Sequence, residues 1–166
     1  MLERYESGKG WGMTVVLVCG VAGAGKSTHA RRLEASGFAR LSFDEVAWDA
    51  GHREHPLPDD VALAIHEDLR ARMLALVGEG RDVVVDTSFW SRASRDRYRS
   101  WLAEVDVVPV VHHVVAPRGV VLARLAARGG AGPHDVVVPP ALAERYLAGF
   151  ETPTADEGPL VLVPTA

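Results

Sequence analysis

Gly20-Val21-Ala22-Gly23-Ala24-Gly25-Lys26-Ser27-Thr28 follows directly on the apolar run Thr14-Val15-Val16-Leu17-Val18-Cys19. Gly20 to Ser27 fits the spacing G-x-x-x-x-G-K-[ST] in full. The β-branched run before it reads as a short buried strand. The stretch from Lys26 to Ala35 reads as a helix stopped by Ser36-Gly37. Glycine at these positions lets the backbone turn sharply and aim its N–H groups inward at an anion. The N-terminus of the helix adds the positive end of its dipole. Lys26 brings a point charge to the β and γ phosphates, and Ser27 offers a hydroxyl to Mg²⁺. Gly20 to Thr28 therefore reads as a binding loop for a nucleoside triphosphate. Lysine is rare here, Lys9 and Lys26 against 16 arginines, so composition does not account for the placement of Lys26.

The 166 residues are 48% hydrophobic and 24% charged, enough for one sizeable core and too apolar for a disordered chain. Cys19 is the only cysteine, which excludes an internal disulfide framework. No run approaches the roughly 20 apolar residues that span a bilayer, and the first residues lack the basic-then-apolar order of an export signal. A cytoplasmic protein with no membrane partner is the expectation. The net charge of −4 argues against a dedicated nucleic-acid binder without excluding a local basic groove. The chain contains no asparagine, so the guanine-reading pattern N-K-x-D is impossible.

Outward from the loop, short apolar runs alternate with helical stretches. Ala39 to Phe43 reads as a second strand and residues 44–58, with Pro56 and Pro58, as loop. A helix from Pro58-Asp59-Asp60 to Gly78 carries Val61, Ile65, Leu69, Met73, Leu76 and Val77 at helical spacing. Val83 to Asp86 reads as a third strand, Ser91 as the cap of a helix to about Glu104, and Val107 to Val115 as a region holding a fourth strand. Pro117 opens a helix to about Arg128. Residues 129–138 read as flexible, and Pro139-Pro140 opens a last helix to about Phe150. Leu160 to Val163 is the fifth strand. This alternation implies a parallel sheet covered by helices on both faces. The expected organisation is a flexible arm over residues 1–12 and a single α/β domain over 13–166.

Transfer of a phosphoryl group needs a residue that receives or orients the acceptor's hydroxyl proton. Asp44, at the carboxyl end of the second strand region, is the candidate, with Glu45 and Asp49 as neighbouring alternatives. Asp86 ends an apolar strand, the placement of a carboxylate near Mg²⁺. Thr87, Trp48, Trp90 and Arg92 are the candidate acceptor contacts, while Arg95 and Arg99 read as a solvated helix face. Arg124 and Arg128, four apart before the Gly-rich segment, suit a lid that neutralises charge on the transferred group.

GVAGAGKST (20–28), LSFDEV (41–46), VVVDTSFWSRASRDRYR (83–99), LARLAAR (122–128) and FETPTADEG (150–158) together resemble the small P-loop kinases of the AAA_33 or zeta-toxin-like type. That group includes the kinase part of polynucleotide kinases and chloramphenicol phosphotransferase. The resemblance implies ATP as donor, Mg²⁺, and a three-layer P-loop NTPase fold. Its five-stranded parallel sheet is expected in the order 2-3-1-4-5, with an arginine-bearing lid. It matches Asp44 to the family's catalytic aspartate, Lys26 and Ser27 to the loop lysine and Mg²⁺ ligand, and Arg124 and Arg128 to the lid arginines. Polynucleotide kinases commonly carry an arginine soon after that aspartate; here Glu45, Val46 and Ala47 follow. The expected function is a kinase moving the γ-phosphate of ATP to a hydroxyl of a small molecule, such as an antibiotic, nucleoside or sugar. The alternatives are a polynucleotide 5′-hydroxyl kinase and a nucleotide-binding switch or toxin-like module.

Overall fold

Val15–Cys19 forms β1, and all five of its residues are buried. The strand reads as a continuous apolar run because both of its faces are covered. The computed structural model describes residues 12–166. The expected arm over residues 1–12 lies outside the described residues apart from Gly12. β2 (Ala39–Ser42), β3 (Val83–Asp86), β4 (Val110–Val115) and β5 (Leu160–Pro164) complete one parallel sheet in the order β2-β3-β1-β4-β5.

The sheet separates two cores by the two-residue period of a strand. Val15, Leu17 and Cys19 face one side with Val83 and Val85, where Ile65, Leu69, Met73 and Val77 of α3 (Asp59–Gly78) cover them. Tyr98, Trp101 and Leu102 of α4 (Arg92–Ala103) pack into the same layer. Val16, Val18 and Val84 face the opposite side, against Ala30 and Leu33 of α1 (Lys26–Ala35). A third cluster joins α5 (Arg118–Ala126) to α6 (Pro140–Gly149) through Val121, Leu125 and Leu142, with Val21 and Ala22 of the Gly-rich loop packed against it. No helix among the described residues is long and apolar enough to cross a membrane.

The stretch 44–58 corrects the sequence reading. Phe43–Asp49 is a helix, α2, that begins as soon as β2 ends. Ser42 is its N-cap and accepts from the Glu45 backbone N–H at 3.3 Å. The Ser42-Phe43-Asp44-Glu45 pattern carries the start signal of a capping box, but it directly abuts a strand and the two prolines lie beyond it. Asp44 consequently stands in the first turn of a helix instead of closing a strand. The fourth strand starts at Val110, after Pro109.

His112 and His113 are adjacent on β4, and both are buried because both faces of that strand are covered. His113 stacks on Phe150 with centroids 5.6 Å apart. His112 shares a 2.9 Å hydrogen bond with His29 of α1. Burial, aided by the neighbouring His29, pushes the His112 ring down to about 4. The unfolded chain takes up that proton below about pH 6.5, the folded chain only near pH 4. This contribution to stability is therefore full above the unfolded value and is lost as pH falls towards the folded one. Urea denaturation should show about 2 kcal/mol less stability from this group at pH 5 than at pH 7. His112→Leu should flatten that slope.

Candidate active site

The register of the sheet brings the chemistry together. Val18 of β1 pairs with Asp86 of β3, and Asp86 pairs with Ser42 of β2. The loop after Cys19, the carboxylate of Asp86 and the α2 turn that carries Asp44 thus emerge at one level, at the carboxyl ends of the strands. The loop and the α2 turn share a cleft of about 1170 Å³, roomier than the roughly 300–1,000 Å³ of ordinary ligand pockets; Asp86 is buried and is not among its lining residues. Val21, Ala22, Gly23, Gly25, Lys26, Ser27 and Thr28 line it, as do Asp44, Thr87, Trp90, Arg124 and Arg128. Trp48 and Arg92, expected as acceptor contacts, are not among its lining residues. Trp48 lies beneath the Arg53 guanidinium, 3.7 Å from its ring centroid. Arg92 is half exposed and paired with Asp156 at 2.9 Å.

The loop is built as its glycines require. Gly20 donates its N–H to the Ser88 carbonyl at 3.1 Å, and a Cβ on it would lie 2.6 Å from the Val114 carbonyl oxygen. Gly25 takes φ +106 at the start of α1, which has no side-chain cap, so the N–H groups of its first turn remain available to a ligand. Ala24 sits buried behind the loop. The Lys26 ammonium donates to the Val21 carbonyl at 3.0 Å. Burial pulls its pKa below the ordinary lysine value, while Asp86 and Asp44 counter that by favouring the charge.

Three carboxylates were candidates for the base. Glu45 is held by Arg40 in two hydrogen bonds of 3.0 and 2.9 Å, and Asp49 does not line the cleft. Asp44 does. Burial alone would raise its pKa, but His134 beside it and the charge of Lys26 together hold it below the usual carboxylate range. Asp86 behaves oppositely. Its burial raises the pKa, Lys26 opposes, and the charge of Asp44 adds to the rise. Asp86 Oδ2 is buried with no partner among the described residues, and the Ser27 hydroxyl lies beside this carboxylate. An orphaned hard oxygen next to a hydroxyl fits Mg²⁺, which takes one or two protein oxygens and completes its shell with water and phosphate.

His134 was not foreseen. It lies in the segment 129–138, whose turn is closed by the Asp135 carboxylate accepting from the N–H groups of Gly129 and Ala131 at 3.2 and 2.8 Å. Its Nδ1 is 2.9 Å from Ser27 Oγ and 3.8 Å from Asp44 Oδ2, and its Nε2 is 3.3 Å from Glu45 Oε1. The Asp44 carboxylate raises its pKa against the effect of burial, with Glu45 adding to the rise. A lone histidine among glycines carries no spacing signal, so no local pattern points to it. The two lid arginines divide. Arg124 donates to the carbonyls of Gly23 and Ala24 at 3.1 and 3.2 Å, bracing the loop from its outer side. Arg128 is part-buried, and burial lowers its pKa while Asp44 counters.

Arg95 corrects the reading of a solvated helix face. Its side chain is 0% exposed. It grips Glu157 with Nε and one NH group, both at 2.8 Å, and donates to the carbonyls of Phe89 and Glu151 at 2.8 and 2.9 Å. Its partners lie 56 to 62 positions away, apart from Phe89, so local spacing could not reveal them.

A five-stranded parallel sheet in this order, with a G-x-x-x-x-G-K-S loop leaving its central strand, defines a P-loop protein of kinase-like fold. The sequence matches the family model AAA_33, described as an AAA domain, over residues 15–153, and the chain belongs to that family. Among solved structures it is similar to a sugar kinase from Janibacter sp. HTCC2649, at 23% identity and a TM-score of 0.66, covering 92% of this chain and 85% of that one. A gluconokinase from Sinorhizobium meliloti 1021 matches at 23% identity and a TM-score of 0.66, covering 95% and 85%. Kti12 from Chaetomium thermophilum, solved with ADP-AlF3, matches at 19% identity and a TM-score of 0.69, covering 90% and 88%. These likenesses speak to the fold. No curated protein matches the sequence.

Proposed function

We propose that the chain is an ATP-dependent kinase that moves the γ-phosphate of ATP to a hydroxyl of a small molecule. The observation that carries this is the meeting of Asp44 with the Lys26 loop in one cleft. Gly20 to Thr28 would wrap the phosphates, with Lys26 on the β and γ groups. Ser27 and Asp86 would hold Mg²⁺, which when bound neutralises phosphate charge. Asp44, ionised at neutral pH, accepts the acceptor's proton as the acceptor O–Pγ bond forms. The bond from Pγ to the bridging oxygen breaks, and ADP leaves with the electron pair. Arg128 favours the charge on the group in flight, and Arg124 keeps the loop in shape. Thr87 and Trp90 are the acceptor contacts of this reading.

The arginines a polynucleotide 5′-hydroxyl kinase would need are already engaged. Arg92 is paired with Asp156, Arg95 is buried against Glu157, and Arg53 stacks on Trp48. The test is transfer of labelled γ-phosphate from ATP with Mg²⁺ to pooled sugars, nucleosides and antibiotics, beside a 5′-hydroxyl oligonucleotide. Lys26→Ala should reduce transfer by about 10²- to 10³-fold, the scale of losing one preorganised charge contact. Transfer to the oligonucleotide would favour the polynucleotide reading, and ATP binding without any transfer the switch.

A further inference from the structure

The cations of the cleft are confined to one of its sides. Among the described residues the lysines and arginines lining it are Lys26, Arg31 and Arg32 of the loop and α1, Arg124 of α5, Arg128 two residues beyond α5, and Arg145 of α6. The opposite wall, built from α2, the 50–58 connector, α3 and the β3–α4 turn, has no lining lysine or arginine among the described residues. Its charged members are Asp44 and Asp59. Arg53, the one arginine of the connector, is spent on Trp48. Partial burial pushes the half-buried His66 ring down to about 4, so it is neutral at physiological pH.

Phe43, His66 and Trp90 line that wall, with Tyr98 and Phe89 buried behind it. Phe43 lies 4.9 Å from His66, His66 5.7 Å from Tyr98, and Tyr98 4.8 Å from Phe89, centroid to centroid. Trp90, next in the chain after Phe89, lines the cleft and is 56% exposed. Of the exposed large hydrophobics among the described residues, Trp90 is the one that lines the cleft. The fold also invests in holding it there. Phe89 takes φ +45, a left-handed conformation that disfavours a bulky residue. Its carbonyl is pinned by the Arg95 guanidinium and the Cys19 thiol, and the Trp90 carbonyl accepts from the Glu151 N–H at 2.8 Å.

We infer that the acceptor is an uncharged hydroxyl compound that lays an apolar ring face on Trp90, with its reacting hydroxyl directed to Asp44. The inference rests on the kinase reading above and narrows its acceptor. An acidic acceptor would meet two carboxylates and no cation on that wall, whereas an aromatic platform favours a flat or sugar-like ring.

Matched pairs of acceptors that differ in charge test this with the full chain. Suitable pairs are D-glucose against D-gluconate, p-methylbenzyl alcohol against p-(hydroxymethyl)benzoate, and thymidine against its 3′-phosphate. Transfer from ATP is measured by ADP release. Acceptor binding is followed separately, by titration calorimetry on Asp44→Asn without ATP, with and without Trp90→Ala. The neutral member of at least one pair should have a kcat/KM about tenfold or more above its acidic partner. Trp90→Ala should raise the KM for that acceptor by about tenfold, leave the KM for ATP in place, and be largely rescued by Trp90→Phe. Preference for the acidic members, an acceptor KM indifferent to Trp90→Ala, or neither binding nor transfer of any neutral member overturns the inference. Binding of a neutral member that needs Trp90, with no transfer, sustains the inference and overturns the kinase reading instead.

Discussion

Asp44→Asn lowers phosphoryl transfer by about 10²- to 10⁴-fold, the range of a positioned proton acceptor, and leaves ATP bound. The asparagine keeps the size of the side chain and cannot take the proton. The Asp44 carboxylate also helps to keep Lys26 charged against its burial, so a small weakening of ATP affinity accompanies the change. Single-turnover transfer and equilibrium ATP binding, measured on the same preparation, separate the two effects. Because Asp44 is held below the usual carboxylate range, the acid limb of the wild-type rate profile should lie below the ordinary Asp pKa, with activity rising as pH increases through it. Equal transfer by both proteins would remove Asp44 from the chemistry.

The second large effect is on stability. Arg95→Ala leaves Glu157, whose side chain is 2% exposed, without its bidentate partner, and deprives the Phe89 and Glu151 carbonyls of a donor. Removing one member of a buried ion pair costs about 3–5 kcal/mol, because the other charge stays desolvated. Arg99, 3.2 Å from Glu157, moderates the loss. Chemical denaturation should place Arg95→Ala in this range. The pair Arg95→Met with Glu157→Leu should recover part of it, since no charge is then stranded while the two carbonyls remain unpaired. Arg95→Ala should also raise the acceptor KM, because the same guanidinium fixes the turn that presents Trp90.

The loop Gly20 to Thr28 was legible because its function is written in the backbone. Glycine spacing, one lysine and one hydroxyl suffice, and all lie within nine residues of one another. The five strands were legible because a buried parallel strand must be apolar on both faces, and VVLVC and VVVD state that directly. α2 was missed because its capping signal sits flush against a strand, with no turn to announce it. His134 and Arg95 were missed because their roles depend on partners far along the chain: Ser27 is 107 positions from His134, and Glu157 is 62 from Arg95. Trp48 and Trp90 looked equivalent as aromatics near strand ends, and only packing separates them.

The sequence by itself determined the local chemistry: a phosphate-gripping loop, an alternating α/β order, and the carboxylate of Asp86 at a strand end. Tertiary structure decided which of those groups face one another. The pairing of Val18 with Asp86 and of Asp86 with Ser42 sets Asp44 level with the loop. The closure of the 129–138 segment delivers His134 to Ser27, and a buried arginine fixes Trp90 at the mouth of the cleft. Periodicity and spacing are properties of neighbours in the chain. A site assembled from four separate connections is a property of how the sheet stacks them, and that is settled by burial of the two cores on either side of β1.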